Sequence, residues 1–143
     1  MKYKKKNLLI GNLNANVLAK KYSTPLYCYS YQKLKENINN FKKTFDKINP
    51  LICFSVKSNS NKTLLNEISK LGLGADVVSI GELMKALKAG ISPNRIVFSG
   101  VGKTPKEIDF AIKKKILLIN AESKSEVLEI EKISRKNSKI TNI

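Results

Sequence analysis

Residues 51–79, LICFSVKSNSNKTLLNEISKLGLGADVVS, contain two short apolar segments separated by a segment with helical periodicity. The apolar segments, 51–56 and 75–79, have the length and the β-branched content of buried strands. Between them, apolar residues recur at the spacing of one face of an α-helix: Leu64, Leu65, Ile68 and Leu71. This stretch therefore predicts a strand–helix–strand unit.

The same unit recurs along the chain at intervals of roughly 20 residues. Strands are predicted at 51–56, 75–79, 95–100, 116–121 and 139–143. Apolar helix faces are predicted within 64–71, 83–87, 108–112 and 127–133, after an earlier and longer helix spanning 34–48. Three helix starts fit the capping box, in which a hydroxyl and a carboxylate satisfy each other's backbone amides: Ser79 with Glu82, Thr104 with Glu107, and Ser123 with Glu126.

Apolar strands that alternate with helices predict a parallel sheet covered by helices, an α/β fold. The even spacing favours a (β/α)8 TIM barrel over a doubly wound sheet, but such a barrel needs eight strands and about 250 residues. We therefore expect about half of a barrel, the N-terminal part of a longer protein, with 1–22 a variable lead-in and 23–143 a partial barrel. A complete flavodoxin-like fold with five strands is the alternative.

Composition narrows the possible functions. The sequence has no histidine and only two cysteines, Cys28 and Cys53, so we expect neither a metal site nor a Cys–His nucleophile. Cys53 is interpreted as a small apolar side chain within the core. The longest apolar runs fall short of the roughly 20 residues of a membrane helix, and the N-terminus lacks a cleavable signal. We therefore expect a cytoplasmic protein with no membrane partner.

The net charge of +16 makes a nucleic-acid-binding module the alternative from another functional class. Of the 27 basic residues, however, only Arg95 and Arg135 are arginines, and the lysines are spread along the chain. Nucleic-acid recognition usually depends on the guanidinium group. We therefore expect no nucleic-acid partner.

Lys57 follows directly after the predicted strand 51–56. In a barrel, reactive groups gather at the carboxyl ends of the strands. A partly desolvated lysine there can attack a carbonyl, as a Schiff base with pyridoxal phosphate requires. The alternative is an ordinary surface lysine whose aliphatic stem lies along the strand end.

Two acidic residues flank the end of the next strand. Asp76 lies within the strand itself and needs a partner, for which Lys57 is one candidate. Glu82 is already explained as part of a capping box.

The segment 98–104, FSGVGKT, ends like a phosphate-binding loop. The full motif requires a glycine five residues before Gly102, where this sequence has Val97. Pro105 also removes an amide from the start of the following helix. A nucleotide-binding loop is therefore not expected, and Gly100 and Gly102 are interpreted as turn residues.

Five segments, taken together, resemble the diaminopimelate decarboxylases, members of the group IV, alanine-racemase-like family of pyridoxal-phosphate-dependent decarboxylases. They are STPLYCYS, FSVKSN, GADVVSIGELMKALKAGI, RIVFSGVGKT and INAES, in the family's order across 23–143. The sequence departs from the family pattern at Ile80, where a glycine is usual.

The resemblance implies that Lys57 holds pyridoxal 5'-phosphate as a Schiff base, with Asp76 and Glu82 close to it as cofactor-binding residues. It implies removal of one carboxylate from meso-diaminopimelate to give L-lysine and CO2, the last step of lysine biosynthesis, by a homodimer. It also implies that a C-terminal β domain and the rest of the site lie outside this chain, so the chain alone is expected to be inactive. Another amino-acid decarboxylase of group IV and a non-catalytic cofactor-binding barrel are the alternatives.

Overall fold

The computed structural model describes residues 1–45 and 47–143. The chain forms two compact units, Met1–Pro50 and Leu51–Ile143, which are described separately. Among the described residues, no helix has both the length and the apolar character needed to cross a bilayer.

The first unit combines a small antiparallel sheet with two helices. Its elements are β1 (Lys2–Lys4), β2 (Asn7–Ile10), β3 (Leu13–Asn14), α1 (Ala15–Tyr22) and α2 (Tyr31–Thr44). The sheet has the order β1–β2–β3, and Asn14 and Ser30 cap the two helices with their side-chain oxygens. The predicted lead-in, 1–22, thus comprises the sheet and α1, whereas the compact unit extends to Pro50.

The helix predicted over 34–48 ends earlier than expected. Helix α2 stops at Thr44, where the Phe45 N–H donates to the carbonyl of Lys42 and closes a tighter turn. Ile48 therefore lies outside the helix, and its N–H donates to the carbonyl of Phe45. Asp46, which the prediction also included, lies outside the described residues.

The second unit is a parallel sheet of four strands with a helix after each strand. The strands are β4 (Cys53–Ser55), β5 (Gly74–Val77), β6 (Ile96–Phe98) and β7 (Leu118–Ile119). The helices are α3 (Lys62–Lys70), α4 (Ile80–Lys88), α5 (Pro105–Lys114) and α6 (Lys124–Lys136), with 3-10 turns at Val56–Ser58 and Pro93–Arg95. The predicted strand–helix alternation is confirmed from β4 to α6.

Strand order separates the two predicted fold classes. The order is β4–β5–β6–β7, so each strand pairs with the next one in sequence. A flavodoxin-like sheet reverses its order after the first strands, which creates a switch point. The four described strands proceed in one direction, as in a barrel.

One face of this sheet packs against the helices and forms the hydrophobic core with them. Alternate strand residues are buried and pack with the apolar residues of the helices, because neighbouring strand side chains point to opposite faces. The buried strand-side residues are Val56, Ala75, Val77, Ile96, Phe98 and Ile119. The buried helix residues include Leu65, Ile68, Leu83, Ile108, Ala111 and Ile130. The opposite face, which carries Cys53, Ser55, Asp76, Val97 and Leu118, is only half-buried, and we call it the open face.

The fifth predicted strand, 139–143, is not formed, so that prediction is wrong. The segment approaches β7 and makes one backbone hydrogen bond to it, from the Ile119 N–H to the carbonyl of Asn142. The side-chain amide of Asn142 donates a hydrogen bond to the carbonyl of Leu117. The hydroxyl groups of Thr141 and Ser134 are hydrogen-bonded to each other. Ile140 is fully exposed. The Asn142 side chain thus occupies a main-chain acceptor of Leu117 that a continued ladder would use.

Gly74, the first residue of β5, marks a close approach between strands. A Cβ at this position would collide with the carbonyl oxygen of Arg95 and lie 2.8 Å from the Cys53 sulfur. We expect Gly74→Ala to lower the free energy of unfolding by about 1–3 kcal/mol, because the backbone at Arg95, directly before β6, would have to shift. Urea denaturation measures the loss.

The matched control is Gly81→Ala in the first turn of α4. The nearest neighbour of the added Cβ is the Ser79 hydroxyl at 3.8 Å, an ordinary contact. Alanine is favoured over glycine in a helix by about 0.5–1 kcal/mol, so this variant should be neutral or stabilised. Equal losses from both substitutions would contradict the close packing at Gly74.

Candidate functional site

The turn after β4 presents Lys57. Val56, fully buried, anchors the 3-10 turn Val56–Ser58 in the core. The turn is closed by the Asn59 N–H, which donates to the carbonyl of Val56, and by the Ser58 hydroxyl, which donates to the carbonyl of Ser55 at 2.7 Å. Lys57 itself is exposed. The partial desolvation considered from the sequence is therefore not seen at this residue. Within the described part of the chain, no hydrogen bond or ion pair engages the Lys57 amine, so no protein group competes with a ligand for it.

Asp76 lies on the open face of β5, beside β4. Its carboxylate accepts a hydrogen bond of 2.6 Å from the Ser99 hydroxyl and a longer one of 3.4 Å from the Ser55 hydroxyl. The ion pairs of the described residues do not include one between Asp76 and Lys57. The partners of Asp76 are therefore hydroxyl groups on the two neighbouring strands, rather than the lysine considered from the sequence.

These bonds belong to a row of polar side chains that crosses all four strands. The Asn120 side-chain amide donates to the Ser99 hydroxyl at 2.9 Å and so extends the row to the end of β7. Ser55 and Asp76 are register partners, while backbone bonds from Ser99 to Val77 and from Asn120 to Phe98 continue the parallel ladder. We call Ser55, Asp76, Ser99 and Asn120 the polar row.

Sequence reasoning missed three of these four residues. Ser55, Ser99 and Asn120 are small polar residues near the carboxyl end of an apolar segment, in FSVK, FSG and INA. Their shared position within the repeating unit was the available signal. Parallel strands that start at equivalent points place such positions side by side.

Glu82 fixes the loop that follows β5. Its carboxylate accepts the Val78 N–H at 2.9 Å, while its own N–H donates to the Ser79 hydroxyl at 3.2 Å. The predicted capping box is therefore only half correct, because the carboxylate bonds one residue earlier than the box requires. Glu126 behaves in the same way and accepts the Glu122 N–H at 2.7 Å.

Glu107 completes the one predicted box that forms as expected. Its carboxylate accepts the Thr104 N–H at 3.0 Å and the Thr104 hydroxyl at 2.8 Å. It also accepts the Ile80 N–H at 3.1 Å, which links the starts of α4 and α5. The backbone hydrogen bond from Thr104 is the main reason that the pKa of Glu107 lies below its ordinary value of 4.5.

Lys103, the lysine of FSGVGKT, is a buried structural residue. Its side chain is 1% exposed and pairs with Glu126 at 3.2 Å. The same ammonium donates to the carbonyls of Gly100 at 2.6 Å and Asn120 at 2.7 Å. Oxygen atoms of the protein thus accept the hydrogen bonds that the lysine of a nucleotide-binding loop would donate to phosphate.

Cys53 differs from the sequence interpretation, because it lies half-buried on the open face rather than within the core. Its sulfur is 4.0 Å from the carbonyl oxygen of Arg95. Burial raises the pKa of the thiol above its ordinary 9.0, and the negative charge of Asp76 raises it further, while Arg95 lowers it. The group is therefore a neutral thiol near pH 7.

The residues present fit a cofactor that carries an aldehyde. Lys57 supplies a free primary amine, and Asp76 supplies a carboxylate oriented by two hydroxyl groups. Both belong to the carboxyl-terminal part of neighbouring strands, where ligands bind in β/α folds. An amine can attack an aldehyde carbon.

Comparison with known proteins agrees with this geometry. Residues 31–142 match the family model described as the pyridoxal binding domain of pyridoxal-dependent decarboxylases. The chain belongs to this family. The family and the solved structures confirm the predicted fold class, with the sheet of 51–143 corresponding to part of an alanine-racemase-like barrel.

Three relatives show the extent of the similarity. The chain is 48% identical to a diaminopimelate decarboxylase of Helicobacter pylori over 85% of its length and 30% of the relative's. It is 42% identical to one from Aquifex aeolicus, over 97% of its length and 33% of the relative's. The crystal structure of diaminopimelate decarboxylase from m. jannaschii in co-complex with L-lysine superimposes with a TM-score of 0.93 at 32% identity. That match covers 98% of this chain and 34% of the other. The chain therefore spans about a third of the length of these relatives.

The position of Glu107 predicts a specific pH response. A carboxyl group whose pKa is lower in the folded than in the unfolded protein stabilises the fold fully at pH values above the unfolded-state pKa. This stabilisation is lost as the pH falls through the folded-state pKa. We expect Glu107→Gln to lower the free energy of unfolding by about 1 kcal/mol at pH 7, since it weakens the cap. The free energy of unfolding of this variant should also fall less steeply as the pH decreases below 4.5, the ordinary pKa of a glutamate side chain.

Urea unfolding at several pH values between neutrality and strong acid measures both effects. Glu129→Gln on α6 is the control, because Glu129 makes only a 3.5 Å pair with Lys132 at the helix surface. An acid dependence unchanged by Glu107→Gln would show that its hydrogen bonds do not contribute to folding.

Proposed function

We propose that this chain provides the lysine-bearing part of a pyridoxal-phosphate-dependent diaminopimelate decarboxylase, with Lys57 as the covalent attachment point of the cofactor. The observation that carries the proposal is the free, exposed amine of Lys57 at the edge of the polar row, in a domain of the pyridoxal-binding family. Because the chain spans about a third of its relatives, the activity is proposed for a protein of their full length.

Pyridoxal phosphate, when bound, supplies an electron sink for the pair released as a carboxylate leaves the substrate. The residues of this chain perform the supporting tasks. Lys57 would hold the aldehyde carbon through its amine nitrogen, with loss of water, and the buried Val56 fixes the backbone from which the lysine side chain extends. Asp76 holds a negative charge on the open face, which favours a cationic group near it.

Glu82 acts through the loop after β5 in this proposal. Its bond to the Val78 N–H fixes the backbone that follows Asp76 and Val77. Ile80 stands where the family usually has glycine, and the bond between Val78 and Glu82 is formed beside it; the Ile80 N–H donates to Glu107. Glu82 is therefore proposed as a residue that orients the cofactor-side loop.

The substrate proposed is meso-diaminopimelate, with L-lysine and CO2 as products. Its support is that both curated relatives above carry the name diaminopimelate decarboxylase, and that the m. jannaschii crystal structure is a co-complex with L-lysine. A homodimer and a cytoplasmic location are parts of the same proposal. Another amino-acid decarboxylase of group IV is the alternative, and a substrate panel distinguishes the two.

The assignment of Lys57 can be tested in a full-length chimera. In this chimera, the chain replaces the matching third of the Aquifex aeolicus relative, to which it is 42% identical. Lys57→Ala should abolish the visible absorbance of the bound cofactor, because no other amine would hold the aldehyde at that position. Borohydride reduction and peptide mapping should place a pyridoxyl group on Lys57 in the parent chimera.

Lys62→Ala is the control, since Lys62 is an exposed lysine at the start of the next helix. It should keep both the absorbance and the modified peptide. A visible band that survives Lys57→Ala, or a pyridoxyl group found on another lysine of the parent, refutes the assignment.

A second prediction concerns the 143-residue chain by itself. We expect no lysine formation from diaminopimelate, since two thirds of the relatives' length has no counterpart in it. Chromatographic detection of lysine after incubation with pyridoxal phosphate measures this, with the chimera as positive control. Lysine production by the isolated chain would place the whole active site within these residues.

A further inference from the structure

We propose that Lys103 is a positioning residue that locks the carboxyl ends of β6 and β7 together and thereby fixes the polar row. The inference deepens the proposed function, on which its catalytic relevance rests. Lys103 touches none of the groups assigned to the cofactor, so it acts through Asn120 and the loops.

A closed ring of bonds joins the two loops. Lys103 contacts the carboxylate of Glu126, which also accepts the Glu122 N–H at 2.7 Å. The carboxylate of Glu122 accepts the Gly100 N–H at 3.2 Å, and the Gly100 carbonyl accepts from Lys103. We call Lys103, Glu126, Glu122 and Gly100 the strand-end clamp.

The clamp is connected to the polar row through one residue. Lys103 donates to the main-chain carbonyl of Asn120, and the side chain of Asn120 donates to Ser99. Ser99 in turn makes the shorter of the two bonds to Asp76. The position of the Asp76 carboxylate therefore depends, through two residues, on where Lys103 holds the end of β7.

Burial indicates that the clamp acts on geometry more than on stability. The Lys103 side chain is 1% exposed and the Glu126 side chain 9%. The free energy needed to remove two charges from water is about as large as the free energy gained from their attraction. A protein with a neutral pair of similar shape is therefore often equally stable. Such a pair can nevertheless specify a unique arrangement, because its directional bonds are satisfied in only one geometry. Lys103 also lies 5.7 Å from the centre of the Phe98 ring, which limits its room to move.

The test replaces both charges at once, in Lys103→Met with Glu126→Gln, so that neither is left buried and unpaired. The control is Arg135→Met with Glu131→Gln, which removes an exposed pair from α6. Both double variants are made in the 143-residue chain and compared with it by thermal unfolding and by NMR hydrogen exchange.

We expect the melting temperature of the clamp variant to stay within about 8 °C of the unsubstituted chain. Amide exchange at Gly100 and Glu122 should accelerate at least about tenfold, as expected when a local hydrogen-bonded unit opens more often. The side-chain amide resonance of Asn120 should move towards that of a free asparagine. The control pair should leave all three readouts unchanged.

Two results would overturn the proposal. If the clamp variant fails to fold, the pair of Lys103 and Glu126 is needed for stability and not specifically for positioning. A folded variant with unchanged exchange and an unchanged Asn120 resonance shows that the loops are held without Lys103.

A catalytic readout follows in the full-length chimera. If the clamp places Asp76, the clamp variant should shift the pH midpoint of the cofactor's visible absorbance in the same direction as Asp76→Asn, because the first displaces the Asp76 carboxylate and the second removes its charge. If the clamp variant only destabilised the fold, less protein would carry the cofactor, but the pH midpoint of its absorbance would stay unchanged. This result would refute the positioning role. If the parent chimera carries no cofactor on Lys57, the proposed function fails, whereas the exchange data still decide whether Lys103 holds the polar row.

Discussion

In-register parallel pairing of β4, β5, β6 and β7 is the constraint on which the candidate site depends. The pairing sets Ser55 beside Asp76 and Phe98 beside Ile119. A slip of one residue would turn the buried face outward and the open face inward. Because the buried face carries the apolar core, burial of residues such as Val77 and Phe98 selects the register that also assembles the polar row.

The loops beyond these strands show how a strongly basic chain uses its few acidic residues. Glu82, Glu107 and Glu126 each accept backbone amides at a helix start. Unpaired amides in such turns would be costly, so the carboxylates stabilise the edge on which the site lies. The Lys103 side chain has a similar structural role, whereas Lys57, at the carboxyl end of another strand of the same sheet, is exposed. Two lysines near strand ends thus differ in role because one is enclosed by oxygen acceptors and the other is not.

Much of the fold could be predicted because its signals are local. The spacing of Leu64, Leu65 and Ile68 identifies a helix face, and Thr104 with Glu107 identifies a helix start. Predictions failed where the choice between neighbouring hydrogen-bond partners decided the outcome. The segment 139–143 has the composition of a strand, yet it is joined to β7 by one backbone bond, and the Asn142 side chain occupies the carbonyl of Leu117. Glu82 and Glu126 match the capping pattern, but their carboxylates select a different amide.

The repeating β/α unit, the position of Lys57 after the first strand of that repeat and the family resemblance can all be read from the amino-acid sequence. Each depends on neighbours along the chain or on short segments in order. The contacts between polar groups become visible only in the folded chain: Asp76 is held by Ser55 and Ser99, and Lys103 is buried against Glu126. These contacts join residues more than 20 positions apart, and strand register together with side-chain burial, rather than local spacing, brings them within bonding distance.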